Sequence, residues 1–397
     1  MKYLTKKVKL ANMLAFWKHF QKQECLVFYN PQKEELIFGA KRIRTFADGE
    51  SHQDYPYVFS TRSFFPMVRD PKWVDFGNET IAFTYYLVEK DGNQTLYYPD
   101  QGIDDTEIEE ISSIQSSLTH THTHTCQFGD DYPQWQAMFD KVLKEITLHK
   151  ATKVVLSREV KITCDGTVDQ ESVLHNLLKN NRDSFVFAYT RDGKTFLGAT
   201  PEILVQKEGD TIISYALAGT ISRSKLDDEK QQAFLLNDPK NVHEHTIVID
   251  RIAQVLKKYS RDVQIGQTRI LALRNLYHLQ TILMAKDASP LTEWVTRLHP
   301  TPAMGGSPYK TALDIIKRNE KHERGLYAAP LGVINANGDG VFVVGIRSAL
   351  VIENKVYAYI GCGIVEGSDC REEYLETNEK MRTILESLEE SDGNERS

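Results

Sequence analysis

Alternating and continuous apolar runs divide this chain into many short strands and a few amphipathic helices. Residues 57–65 (TyrValPheSerThrArgSerPhePhe) and 80–88 (ThrIleAlaPheThrTyrTyrLeuVal) predict strands. The spacing of Trp135, Phe139, Val142 and Ile146 predicts a helix over 133–146, followed by a strand over 153–162. Runs at 184–189, 194–199 and 202–207 continue a sheet. A GluGlyAsp turn (208–210) leads into another strand at 211–220. Asp238-Pro239 reads as an N-cap with proline at the first helical position. On the helix that follows, Val248, Ile252, Val255, Leu256 and Tyr259 form one stripe, with Glu244 at its inner edge. The last third reads as strand, turn and strand: 331–334, AsnAlaAsnGlyAspGly (335–340) and 341–352. GluAsnLys (353–355) then turns the chain into 356–365. Asp369 opens a final helix on which Tyr374, Met381, Ile384 or Leu385, and Leu388 face inward, while Glu372, Glu376 and Lys380 share another stripe.

Two segments read differently. The first fourteen residues carry charges through the first ten and predict an amphipathic helix rather than a signal peptide. Residues 102–128 are polar and predict a solvated connector. It contains His120, His122, His124 and Cys126 at alternating positions, which on a strand would share one face and could bind zinc. An unsupported polar loop argues against that site.

At 397 residues, with 41% hydrophobic and 26% charged content, the chain suits a large globular core. Its formal net charge of -7 disfavours nucleic acid or an anionic membrane as a partner. No stretch approaches the ~18 apolar residues of a membrane span. The five cysteines are scattered and odd in number, which predicts a reduced, cytoplasmic chain.

Against this background, certain polar residues stand out within apolar or glycine-rich strings: Lys153, Glu202, Glu244, Arg347, Glu376 and Lys380. Charges in such settings are costly to bury unless paired, metal-bound or used. Two glutamates suited to one hard cation, with a lysine and a separate glutamate, suggest metal-anchored acid–base chemistry on an anionic small molecule.

The strings in order are LysValValLeuSerArg (153–158), AlaThrProGluIleLeuVal (199–205), AlaLeuAlaGlyThr (216–220), HisGluHis (243–245) and LeuHisProThrProAlaMetGlyGlySerPro (298–308). IleArgSerAla (346–349), GlyCysGlyIleVal (361–365) and GluThrAsnGluLys (376–380) follow. Together they resemble the chorismate-utilising enzymes, which include isochorismate, salicylate, anthranilate and aminodeoxychorismate synthases. The resemblance covers Lys153 to Lys380; the N-terminal third matches loosely. It implies an α+β fold: one large chorismate-binding domain with two antiparallel-rich sheets packed together and helices outside. Residues 1–128 would form a variable part of that fold, 129–390 the catalytic region and 391–397 a frayed tail.

The resemblance also implies a site. Glu244 and Glu376 would hold Mg²⁺, a hard ion that commonly takes one or two carboxylates plus substrate and water. Glu373 would hold a metal-bound water. Arg347 and Lys380 would pair with substrate carboxylate, with Leu217, Ala218, Gly219, Thr220, Gly361 and Gly363 closing around chorismate. Lys153 would be the general base for water and Glu202 the general acid. Burial would have to lower the lysine pKa and raise that of the glutamate. Lysine at 153 favours water over an amine as nucleophile. Ala218 stands where aminodeoxychorismate synthases carry a nucleophilic lysine. The AlaLeuAlaGlyThr form, with Leu217, resembles the isochorismate synthases, so isochorismate formation is implied, in menaquinone or catechol siderophore biosynthesis, with menaquinone expected. Salicylate synthase is the alternative, and an amidotransferase-dependent subunit is disfavoured. No obligatory protein partner is implied; the chain would be a monomer or homodimer.

Overall fold

The computed structural model describes residues 2–114, 124–223, 227–273 and 276–389. The chain begins β1 (Tyr3–Val8), α1 (Leu14–Phe20), β2 (Cys25–Asn30), β3 (Glu35–Phe46), β4 (Tyr57–Thr61), β5 (Glu79–Lys90), β6 (Asn93–Pro99) and α2 (Asp105–Ser112). The middle contains β7 (Cys126–Gln127), α3 (Tyr132–Thr147), β8 (Lys153–Cys164), α4 (Gln170–Asn180), β9 (Phe185–Arg191), β10 (Lys194–Thr200), β11 (Ile203–Glu208) and β12 (Thr211–Ser222). Then come α5 (Asp228–Asn237), α6 (Pro239–Tyr259), β13 (Arg261–Ile265), β14 (Arg269–Ala272), β15 (Leu276–Lys286), α7 (Leu291–Leu298), β16 (Gly306–Ser307) and α8 (Tyr309–Asn319). The end is β17 (Pro330–Asn335), β18 (Gly340–Val344), β19 (Ser348–Ile352), β20 (Lys355–Val365) and α9 (Cys370–Leu388).

Every pairing among the described strands is antiparallel, and all join one hydrogen-bonded network with two arms. The first arm runs β1-β6-β5-β3-β2-β9-β10-β19-β20-β8. The second runs β5-β4-β17-β18-β11-β12-β15. β5 belongs to both. One of its edges pairs with β3, while the other pairs with β4 through Glu79–Ile81 and with β6 from Tyr86 onward. The two expected sheets are therefore two arms of one network. Inward side chains of both arms form a common core, including Phe28, Ile37, Phe187 and Phe196 from the first and Val205, Val333 and Val343 from the second. α1, α4 and α9 cover the other face of the first arm.

Four sequence expectations need correction. The N-terminal segment is not a helix: Tyr3–Val8 is an edge strand on β6, anchored by the Tyr3 hydroxyl, which donates to the Phe83 carbonyl at 2.5 Å. The 102–128 connector contains α2, capped by Asp104, whose carboxylate accepts from Thr106 N. Ile108 and Ile111 give that helix a buried face that the surrounding polar residues hide. Cys126 and Cys164 face each other across β7 and β8 in a disulfide, so the pattern of scattered reduced cysteines fails at this pair. Tyr259, expected in the α6 stripe, is 41% exposed because the helix ends there.

The zinc reading of the histidine stretch is contradicted where it can be read. His124 is buried, its Nε2 accepts from Asp169 N, and Cys126 is disulfide-bonded. His120 and His122 lie outside the described residues, as does the tail from 390. No described helix is long and apolar enough to cross a membrane.

Candidate active site

The site lies where the chain changes arms. β10 belongs to the first arm and β11 to the second, and Glu202 sits in the corner between them. β18 belongs to the second arm and β19 to the first, and the Gly345–Arg347 corner makes the return crossing. Sequence alone reads 341–352 as one strand. Instead Arg347 breaks it in a left-handed backbone conformation (φ +50°), and its carbonyl accepts from Ala199 N at 3.2 Å.

Glu202 is 4% exposed. Burial raises its pKa from 4.5 to about 8, against the opposing fields of Lys153, Lys380 and Arg347. This carboxyl moves in the direction a general acid needs.

Lys153 begins β8 and is 1% exposed, with Nζ 2.8 Å from Glu244 Oε1. Two glycines permit this placement. A Cβ on Gly306 would fall 2.2 Å from the Lys153 carbonyl oxygen, so glycine lets β16 pair against the start of β8. A Cβ on Gly363 would fall 2.6 Å from Glu244 Oε1 and 2.8 Å from Lys153 Cε. Burial alone would raise the Glu244 pKa, but Lys153, Lys380 and Lys240 outweigh it and hold it below the ordinary range.

α6 presents Glu244, and α9 presents Glu373, Glu376 and Lys380. α6 starts at Asp238, whose carboxylate accepts from Asn241 N, and α9 starts at Asp369, whose carboxylate accepts from Arg371 N and Glu372 N. Glu376 Oε1 lies 2.5 Å from Lys380 Nζ, which also donates to the Gly361 carbonyl at 3.1 Å. Burial works against the Lys380 charge, but Glu376 outweighs it and raises the pKa. Glu373 accepts from Ser368 Oγ at 2.8 Å and pairs with Lys240 at 2.9 Å. Burial and the neighbouring Glu376 carboxylate raise its pKa. Lys240 also lies within the electrostatic reach of Glu244 and Glu376, so it sits amid all three glutamates.

These groups surround one cavity, lined by Glu202, Leu217, Ala218, Gly219, Thr220, Glu244, Arg347, Gly361, Gly363, Glu376 and Lys380. Lys153 stands behind Glu244, and Glu373 sits one turn before Glu376. Among the described residues, no three acidic, histidine or cysteine side chains are arranged as they stand to hold a metal ion. Each glutamate is neutralised by a lysine instead: Glu244 by Lys153, Glu373 by Lys240 and Glu376 by Lys380. Hard carboxylate oxygens gathered at one end of a cavity suit Mg²⁺, which needs only one or two of them.

Sequence reasoning missed His278 on β15. Register places it opposite Thr220 of β12, whose hydroxyl is 3.0 Å from His278 Nδ1. Arg347 Nη2 donates to His278 Nε2 at 3.3 Å, which assigns the remaining proton to Nδ1. Burial, then Arg347 and Lys380, push the His278 pKa well down, so the ring is neutral. What marks it is its register opposite the AlaLeuAlaGlyThr strand, which the structure supplies and the sequence does not. Among the described residues, Arg347 forms no ion pair within 4 Å. Burial lowers its pKa to about 10. It faces the cavity as a charge awaiting an anion.

Residues 39–389 match the family model described as chorismate binding enzyme. The chain belongs to this family. It is 37% identical over 263 residues to the Bacillus subtilis protein named isochorismate synthase MenF, covering 65% of this chain and 56% of that one. It is 33% identical over 260 residues to isochorismate synthase EntC of Escherichia coli K12, covering 63% and 66%. The chain therefore spans little more than half of the first relative's length. The fold matches the menaquinone-specific isochorismate synthase MenF of Escherichia coli, with a TM-score of 0.83 at 22% identity, covering 98% of this chain and 94% of that one.

Proposed function

We propose that this chain is an isochorismate synthase that converts chorismate to isochorismate with Mg²⁺. One observation carries the reading: Glu202, with a pKa of about 8, stays protonated at neutral pH beside a cavity within electrostatic reach of buried Lys153. An acid thus lines the cavity, with a candidate base behind Glu244. The relatives named isochorismate synthase support it.

Glu244 and Glu376 would hold Mg²⁺, with Glu373 behind a bound water; the ion supplies an anchor for the substrate's ring carboxylate. Arg347, held by neutral His278, binds substrate carboxylate together with Lys380. Lys153 would take a proton from water as the water oxygen bonds to ring carbon 2. The ring double bonds shift and the C4–O bond breaks. Glu202 gives its proton to the departing hydroxyl, so water is regenerated. The resulting Lys153 ammonium is paired by Glu244. Ala218 offers no amine for covalent attack. Menaquinone formation is the expected route for the product, in a cytoplasmic enzyme that works without an amidotransferase.

Incubation with chorismate and Mg²⁺, with and without ammonium, followed by chromatography, tests this. Isochorismate short of full conversion, without pyruvate and without ammonium dependence, is expected. Salicylate with equimolar pyruvate would make it a salicylate synthase, and an ammonium-dependent aminated product would overturn the use of water.

A further inference from the structure

Arg158 lies outside the cavity and takes no part in the chemistry above, yet it is 3% exposed and joins β8 to two other segments. Its Nη1 donates to both carboxylate oxygens of Asp131, at 2.6 and 2.7 Å. Its Nε donates to Thr377 Oγ1 at 3.0 Å, and its Nη2 to Asn378 Oδ1 at 2.5 Å. The guanidinium carbon lies 4.5 Å from the centre of the Tyr374 ring. The Tyr374 hydroxyl donates to Asp131 at 2.8 Å, and the Thr377 hydroxyl donates to the Tyr374 carbonyl at 2.7 Å.

The contacts to Tyr374, Thr377 and Asn378 fall on a single turn and a half of α9, while Asp131 precedes α3 and anchors the other end of the guanidinium. Residues 374, 377 and 378 are gripped; residues 373 and 376, which alternate with them, carry the carboxylates that face the lysines. A guanidinium fork fixes both the rotation and the height of a helix in a way that a point charge does not. The same strand carries Lys153, five residues earlier, so one rigid β-strand holds the candidate base at one point and the carboxylate helix at another.

We propose that Arg158 is a positioning residue that sets the rotation of α9 and thereby the Mg²⁺ affinity of Glu376 and Glu373. This rests on the assignment of Mg²⁺ to those glutamates. Groups that orient metal ligands from behind typically change metal affinity by roughly 10–100-fold when altered. A purely structural arginine would change the melting temperature and leave metal binding as it was.

The experiment is Mg²⁺ titration by calorimetry of the full chain, with melting temperature recorded alongside, for wild type, Arg158→Lys, Asn378→Ala and Glu376→Gln. Arg158→Lys keeps the charge and loses the fork. Asn378→Ala removes one contact and provides the same readout if the lysine variant fails to fold. The expected result is Mg²⁺ binding by wild type, weakened roughly tenfold or more in Arg158→Lys and by a smaller factor in Asn378→Ala. The half-saturating Mg²⁺ concentration for turnover should rise in parallel, and kcat should recover at saturating Mg²⁺. Unchanged Mg²⁺ affinity in the folded Arg158 or Asn378 variant, while Glu376→Gln abolishes it, overturns the positioning role and leaves the metal assignment intact. Unchanged affinity in Glu376→Gln, or no binding by wild type, overturns both.

Discussion

Single residues here are defined by what burial does to their charge. Glu202 binds a proton more tightly folded than unfolded, so its stabilising contribution is full below about 4.5 and is lost as pH rises towards about 8. Two outcomes follow from the same shift. Turnover should fall as pH rises through about 8, because the acid loses its proton. The melting temperature of wild type should fall relative to Glu202→Gln between pH 5 and 8; parallel curves would show that the carboxyl is ionised in the folded state. Arg347 has the opposite problem, a charge buried beside a neutral imidazole. Arg347→Met should raise KM for chorismate roughly a hundredfold, the scale of about 3 kcal/mol for a charge-assisted hydrogen bond, with little loss of stability. An unchanged KM would remove it from the substrate site. At this scale the sequence was informative. Lys153, Glu202, Glu244, Arg347, Glu376 and Lys380 are costly side chains in apolar strings; five of them line one cavity and Lys153 stands behind Glu244. His278 escaped because a histidine in a half-apolar strand carries no such mark until its register is known.

Elements show why some of the fold was readable and some was not. Helices α6 and α9 announce themselves by a cap and an apolar stripe, and the Asn335–Gly340 hairpin by its turn residues. Tyr3–Val8 was misread because an edge strand with one exposed side can look like a charged helix. The break at Arg347 was invisible because Val341–Ile352 is apolar on both sides of the corner. Close approach is the other device at this scale. Gly363→Ala would drive a methyl group into the Lys153–Glu244 pair. It should abolish product formation while costing about 1–3 kcal/mol of stability, as overpacking generally does. Activity near wild type would mean that the pair can separate without consequence.

The whole molecule does not divide at the connector. β2 is bonded on one side to β3 and on the other to β9, and β4 joins β5 to β17. A fragment of 129–389 would expose the edges of β9 and β17 and the core side chains that Phe28, Ile37 and Val58 cover. It should therefore lack a cooperative thermal transition, measured by circular dichroism, whereas the full chain has one. A cooperative fragment would show that the second arm closes without β4. The interleaving was beyond sequence reading because strand order depends on which distant edges meet, and periodicity reports only which face is buried.

Glu202 and Arg347 occupy two corners at which the chain steps between arms, and the corners are bonded to each other: Ala199 N donates to the Arg347 carbonyl and Val344 N to the Glu202 carbonyl. The acid and the guanidinium are therefore mounted on one backbone joint rather than on two independent loops. A shift of either arm carries both working groups along together, so their spacing is protected from the small repackings that a core undergoes.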